Sequence, residues 1–171
     1  MTEKQSPKLN IKELTALAEK GDSNAQYDLG WIYESGEGAK KDLAEAFKWF
    51  SLAAKQGDPD AQFNLAWMYE SGEGTKQDLK LAKKFYELAA EQGDPDAQFS
   101  LALVLANAPG KEQDLISAYH WLTLADIAEI EEAIDVRDEI EEDMSDADIV
   151  QAEMMTGEWI RTHGVDDESL Q

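Results

Sequence analysis

The chain has 171 residues, 43% of them hydrophobic, which is enough to bury a core and too apolar for a disordered polymer. It contains no cysteine, which excludes disulfides, thiolate metal sites and cysteine nucleophiles, and no run approaches the length of an apolar membrane span. The formal net charge is −22, made of −7 over residues 1–125 (20 acids, 13 bases) and −15 over the remainder (17 acids, 2 bases); such a field disfavours nucleic acid as a partner and attracts basic ones.

Residues 1–8 lack caps and apolar patterning and are expected to be disordered, as is the tail 163–171. No apolar run follows the N-terminus, so no signal peptide is expected and the cytoplasm is the expected compartment. Between the two ends, residues 9–162 are expected to form a single domain built from repeats.

A partial unit over 9–24 ends in LTALAEKGDSN, which matches the close of a preceding repeat. Residues 25–60 and 61–96 then align without a gap and agree at 23 of 36 positions, which sets the period at 36 residues. A third unit, 97–132, keeps the register more loosely through Ala97, Gln98, Leu101, Asp114, Leu115, Ala118, Trp121, Leu124 and Ala125.

Each period predicts two helices. The first starts at an aspartate cap (Asp22, Asp58, Asp94), followed by proline in the later two units (Pro59, Pro95), and stops at Gly36 or Gly72. After an SGEG loop, Asp42, Asp78 and Asp114 cap the second helices, which end at Gly57 and Gly93 in the first two units. No strand-like alternation appears.

Helical spacing places Ala25, Leu29, Ile32 and Tyr33 on one core face, repeated by Ala61, Leu65, Met68 and Tyr69. The matching face of the second helix holds Leu43, Ala46, Phe50, Ala53 and Ala54, and Trp49 and Trp121 are read as core. The small residues Gly30, Ala66 and Ala102 are expected to let a neighbouring helix approach closely. A single hairpin cannot bury both faces, whereas stacked hairpins can.

Beyond the repeats, residues 127–143 read as one acidic helix with an incomplete stripe of Ile127, Ile130, Ile134, Val136 and Ile140. Ser145 is expected to cap a last helix over 146–163 that turns Ile149, Ala152, Met155, Trp159 and Ile160 inward. The helices within 129–162 are expected to close the array.

The run Ala25, Leu29, Gly30, Tyr33, Gly36, Gly38, Asp42, Ala46, Trp49, Phe50, Ala53, Ala54, Gly57 resembles the Sel-1-like repeat, a relative of the tetratricopeptide repeats. Its second copy is Ala61, Leu65, Ala66, Tyr69, Gly72, Gly74, Asp78, Ala82, Phe85, Tyr86, Ala89, Ala90, Gly93. The third unit departs from the pattern, with Leu105 for the tyrosine and Ala108–Pro109 in place of the first loop glycine and its neighbour. The resemblance implies an all-α fold of the right-handed α–α superhelix class. It also implies an adaptor or scaffold role, in bacterial signalling, secretion, host interaction or immunity against toxins, rather than catalysis.

No catalytic motif is evident, and no catalytic residue, cofactor or metal site is assigned. His120 occupies the position of Lys48 and Lys84 and is expected to face solvent, while His163 lies at a helix end, where the macrodipole favours a cation. The SGEG loops lack the order of a phosphate-binding loop. The acidic run Glu139, Glu141, Glu142, Asp143, Asp146, Asp148 lacks the glycine and alternation of an EF-hand and reads as a solvated helix face.

A line roughly opposite the core on the first helices holds Asn24, Asp28, Trp31 and Ser35, then Asp60, Asn64, Trp67 and Ser71, then Asp96, Ser100, Leu103 and Asn107. Tryptophans among acids and amides would suit a basic or apolar peptide, since aromatic anchors dominate binding energy and attract cations. The competing reading packs Trp31 and Trp67 between adjacent first helices. The function expected is therefore binding of a protein or peptide, basic in character, with no nucleic acid and no membrane. Alternatives are an immunity or inhibitor protein neutralising a cationic toxin or enzyme, and a self-associating structural module.

Overall fold

The structure, a computed structural model, describes residues 10–110 and 113–164. Among these there are nine helices and no strand: α1 Ile11–Ala18, α2 Ser23–Ser35, α3 Leu43–Lys55, α4 Pro59–Ser71, α5 Leu79–Ala90, α6 Pro95–Ala106, α7 Leu115–Ile127, α8 Glu132–Glu141 and α9 Asp146–His163. His163 closes α9 and Gly164 caps it with φ 64°. The remainder of the segments expected to be disordered, 1–8 and 165–171, lies outside the described residues.

The helix starts follow from the aspartates. Asp22, Asp58 and Asp94 accept from the backbone N–H groups of Ala25, Ala61 and Ala97 at 2.9, 2.8 and 2.7 Å. Each bond satisfies one of the orphan donors of a first turn, worth about 1 kcal/mol. Asp42, Asp78 and Asp114 cap α3, α5 and α7 in the same way.

One device repeats that the residue pattern did not reveal. The N–H of each of these second-helix caps returns to a first-helix carbonyl nine residues earlier: Asp42 to Tyr33, Asp78 to Tyr69 and Asp114 to Leu105. The third unit keeps this closure although it lacks the first loop glycine of the others, and α6 ends at Asn107 with φ −94° instead of a left-handed cap.

By contact, the chain divides into two compact units, 1–85 and 86–171. In the first, Leu14, Ala18, Ala25, Leu29 and Trp49 form one cluster, and Ala46, Phe50, Ala53, Ala54, Ala61, Leu65 and Met68 another. Gly30 carries the close approach expected of it: a Cβ there would meet ring carbons of Phe50 at 2.5 Å. In the second unit Leu101, Ala102, Ala118, Leu122 and Ala125 are fully buried, and Trp121 is buried as expected.

Gln26, Gln62 and Gln98 are buried at the same repeat position, where sequence alone suggests a polar surface. Their side-chain amides donate to the carbonyls of Ala18, Ala54 and Ala90, eight residues back, at 2.9, 3.3 and 3.3 Å. Each bond satisfies a carbonyl near the end of the preceding helix. Gln26 also accepts from Gln56 Nε2 at 2.7 Å. Gln26→Met, which keeps the volume and removes both bonds, is expected to cost about 1–3 kcal/mol in urea unfolding.

The acidic segment 127–143 is not one helix. Ile127 ends α7, Glu129 takes φ 69°, and α8 begins at Glu132. The Ile130 N–H returns to the Ala125 carbonyl at 3.0 Å, and the reversal buries Ala133 and Ile140 while leaving Ile134 exposed. Arg137 ties α8 to α7 through Asp126 at 2.7 Å. No glycine or proline marks this break, which is why helical periodicity alone reads through it.

Candidate partner-binding surface

α2 and α4 carry most of the expected site, both within the first unit. Trp31 is 45% exposed and Trp67 is 38% exposed. Asn24, Asp28, Ser35, Asp60 and Ser71 are also exposed, and Asn64 is half-buried. In the second unit α6 exposes Asp96 and Asn107 and half-buries Ser100 and Leu103.

Several of these side chains are already engaged. The Ser35 and Ser71 hydroxyls accept from the N–H groups of Glu37 and Glu73, each at 3.1 Å, and so shape the loops. Asn64 donates to the Asp60 carbonyl at 2.8 Å, and Asn107 to that of Leu103 at 2.9 Å. Asp28, Trp31, Asp60 and Trp67 are exposed on the same two helices.

Two further residues belong with them. Tyr27 lies between the helices: burial, then the Asp60 carboxylate, push its hydroxyl above its usual range, and a hydrogen bond with Asn64 opposes them. Glu34 is held up by desolvation and by Glu73, with Lys41 acting the other way. Neither lies on the stripe read from helical spacing.

The surface is electrostatically frustrated. Desolvation, then Asp22 and Asp58, raise Asp28; desolvation, then Asp58, raise Asp60. A carboxylate whose pKa is raised by desolvation and by neighbouring carboxylates is favoured in its charged form by an added positive charge. No lysine or arginine lies on α2, α4 or α6, whereas α3 and α5 hold Lys48, Lys55, Lys80, Lys83 and Lys84. A cleft of ≈ 420 Å³ among α3, α4 and α5, floored by Phe47, Leu65, Tyr69 and Phe85, is accordingly rimmed by Lys48 and Lys55. The first and second helices of this unit thus offer opposite charge.

His120 is not on the surface. It is 4% exposed, and its Nδ1 lies 2.9 Å from the Thr156 hydroxyl. That hydroxyl donates to the Ala152 carbonyl at 3.0 Å, which leaves its lone pairs to accept from Nδ1–H. α9 packs on α7 and covers the face on which earlier repeats place Lys48 and Lys84, both exposed or half-exposed. Desolvation lowers the His120 pKa to about 4. His163 stacks on Trp159, with ring centroids 4.2 Å apart. Among the described residues no group of three or more histidines, cysteines or carboxylates is arranged to hold a metal ion, and no helix is long and apolar enough to cross a membrane.

The Sel1 repeat model matches residues 23–58, 59–94 and 95–125, the same period read two residues earlier than the units above. A Sel1 repeat protein from Oxalobacter formigenes superposes with a TM-score of 0.68 at 33% identity, over 75% of this chain and 97% of its own. The c5321 protein, a protective antigen of uropathogenic Escherichia coli strains with an SLR fold, gives 0.66 at 26% identity over 90% of this chain. The present chain spans 41% of c5321's length. No functionally curated protein sequence matches. With three consecutive matches and an all-helical hairpin architecture, the chain belongs to the Sel1 repeat family, whose members are typically non-catalytic and generally mediate protein–protein interaction.

Proposed function

We propose that the acidic face of α2 and α4 binds a basic segment of a partner protein, with Trp31 and Trp67 as its two anchors and Asp28 and Asp60 as its charge contacts; the second unit, taken by itself, presents Asp96, Ser100, Leu103 and Asn107 on α6 as its own binding face. The observation that carries this reading is the pair of solvent-facing tryptophans, one repeat apart, on helices that bear carboxylates and no base. Indole faces attract guanidinium and ammonium groups, and a cation beside Asp28 or Asp60 would favour carboxylates whose charged form is now disfavoured, first by desolvation and then by neighbouring aspartates. The lysine-rimmed side of the same unit offers a basic segment no comparable contact.

The test is titration of the chain with fifteen-residue arginine- and lysine-rich peptides, against acidic peptides of equal length, followed by tryptophan fluorescence and calorimetry. The basic set should bind and weaken as salt rises. Trp31→Ala with Trp67→Ala should reduce affinity about 100-fold, as expected for two aromatic hot spots. Equal affinity for both peptide sets, or indifference to the double substitution, would refute the assignment.

A further inference from the structure

The solvent-facing side of a surface helix is ordinarily polar. α9 departs from that rule. Its inner face buries Ala152 and Thr156, flanked by the half-buried Ile149, Trp159 and Ile160. On the opposite side Ala147, Val150, Met154, Gly157 and Arg161 follow one another at intervals of three, four, three and four residues, and all five are exposed. That is the spacing of a coiled-coil seam. Val150 is 53% exposed, and Met154, at 71%, is the most exposed large apolar side chain among the described residues. A Cβ on Gly157 would meet nothing within 4 Å, so a second helix has room to come close there.

We propose that this seam is a dimer interface, on which α9 of a second copy packs antiparallel about a two-fold axis near Met154. The ends of the seam argue for this occupant. Asp146 stands at its start and Arg161 at its finish, fifteen residues or about 22 Å apart. Antiparallel pairing about Met154 brings Arg161 of each copy to Asp146 of the other, giving two identical ion pairs; parallel pairing would set like charges side by side. Arg161 is one of two bases beyond residue 125, and its present contact, with Glu158 at 3.2 Å, is an exposed pair of little value. A two-fold contact uses the same patch on both copies and closes at the dimer. Glu153 borders the seam next to Met154, so the two copies of Glu153 oppose each other near the axis and weaken the pairing.

The experiment is sedimentation velocity of the full chain from about 5 to about 500 μM in about 0.15 M salt. A contact of one helix against another lies at the small end of specific interfaces, so a monomer–dimer equilibrium in the range of tens of micromolar is expected. Met154→Asp, on an outward position that leaves the fold intact by circular dichroism, should raise the dissociation constant at least about tenfold. Arg161→Glu should weaken pairing, Arg161→Glu combined with Asp146→Arg should restore it, and Glu153→Gln should tighten it. A single monomeric species over the whole range overturns the proposal. So does a dimer indifferent to Met154→Asp, or one that the charge swap fails to restore.

Discussion

Gly74→Ala should destabilise the first unit by about 3 kcal/mol, and Gly38→Ala, the same position one repeat earlier, by about 1 kcal/mol. Both glycines have positive φ, 73° and 99°, so either alanine carries the left-handed penalty of 1–2 kcal/mol. The difference lies in what each Cβ would meet. At Gly38 the nearest atom is Ile11 Cδ1 at 3.7 Å, an ordinary contact. At Gly74 the Cβ would collide with the main-chain carbonyl of Leu43, the first residue of α3, and with the Met68 methyl.

A methyl group at the end of a methionine can move. A carbonyl at the start of a helix moves only with the helix, and that shift would disturb the spacing of the two hairpins carrying Trp31 and Trp67. Urea unfolding of the two variants should therefore give clearly different midpoints at the same slope. Equal midpoints would mean that the loop yields without moving Leu43.

The second large effect is acid weakening of the second unit. His120 titrates at about 4 in the folded chain and near 6.5 when unfolded. Between these values the unfolded state binds a proton that the folded state refuses, so stability is complete above pH 6.5 and falls as pH drops towards 4. The loss approaches about 3 kcal/mol for a group this deeply buried. It should appear as loosening of α9 from α7, because protonation places a charge beside Thr156 where burial disfavours it.

Asp28, Asp60 and Glu34 carry the opposite sign. Their folded pKa values are raised, so they favour the folded first unit as pH falls. Urea titrations read by tryptophan fluorescence at pH 7, 5.5 and 4.5 should show the second unit yielding first as acid is added. His120→Leu, which leaves the Thr156 hydroxyl its bond to the Ala152 carbonyl, should flatten that dependence. An unchanged pH profile in His120→Leu would show that another group sets it.

The sequence by itself determined the repeat, and with it most of the fold. An aspartate at a fixed offset before each apolar run, a glycine after it and a 36-residue period specify local structure through backbone hydrogen bonding and conformational freedom, which depend on near neighbours. The core positions Leu29, Leu65 and Leu101 follow from periodicity for the same reason.

Tertiary structure decided whatever depended on a face being covered. His120 shares its repeat position with two lysines, and only the packing of α9 makes it buried and neutral. Gln26, Gln62 and Gln98 owe their burial to a carbonyl eight residues back that each amide meets only in the packed structure. Glu129 turns the chain without a glycine because burying Ala133 and Ile140 against their neighbours offsets the left-handed penalty. Trp31 and Trp67 could have served as core or as anchors on pattern alone; only the packing of the neighbouring helices decides that they stay 45% and 38% exposed.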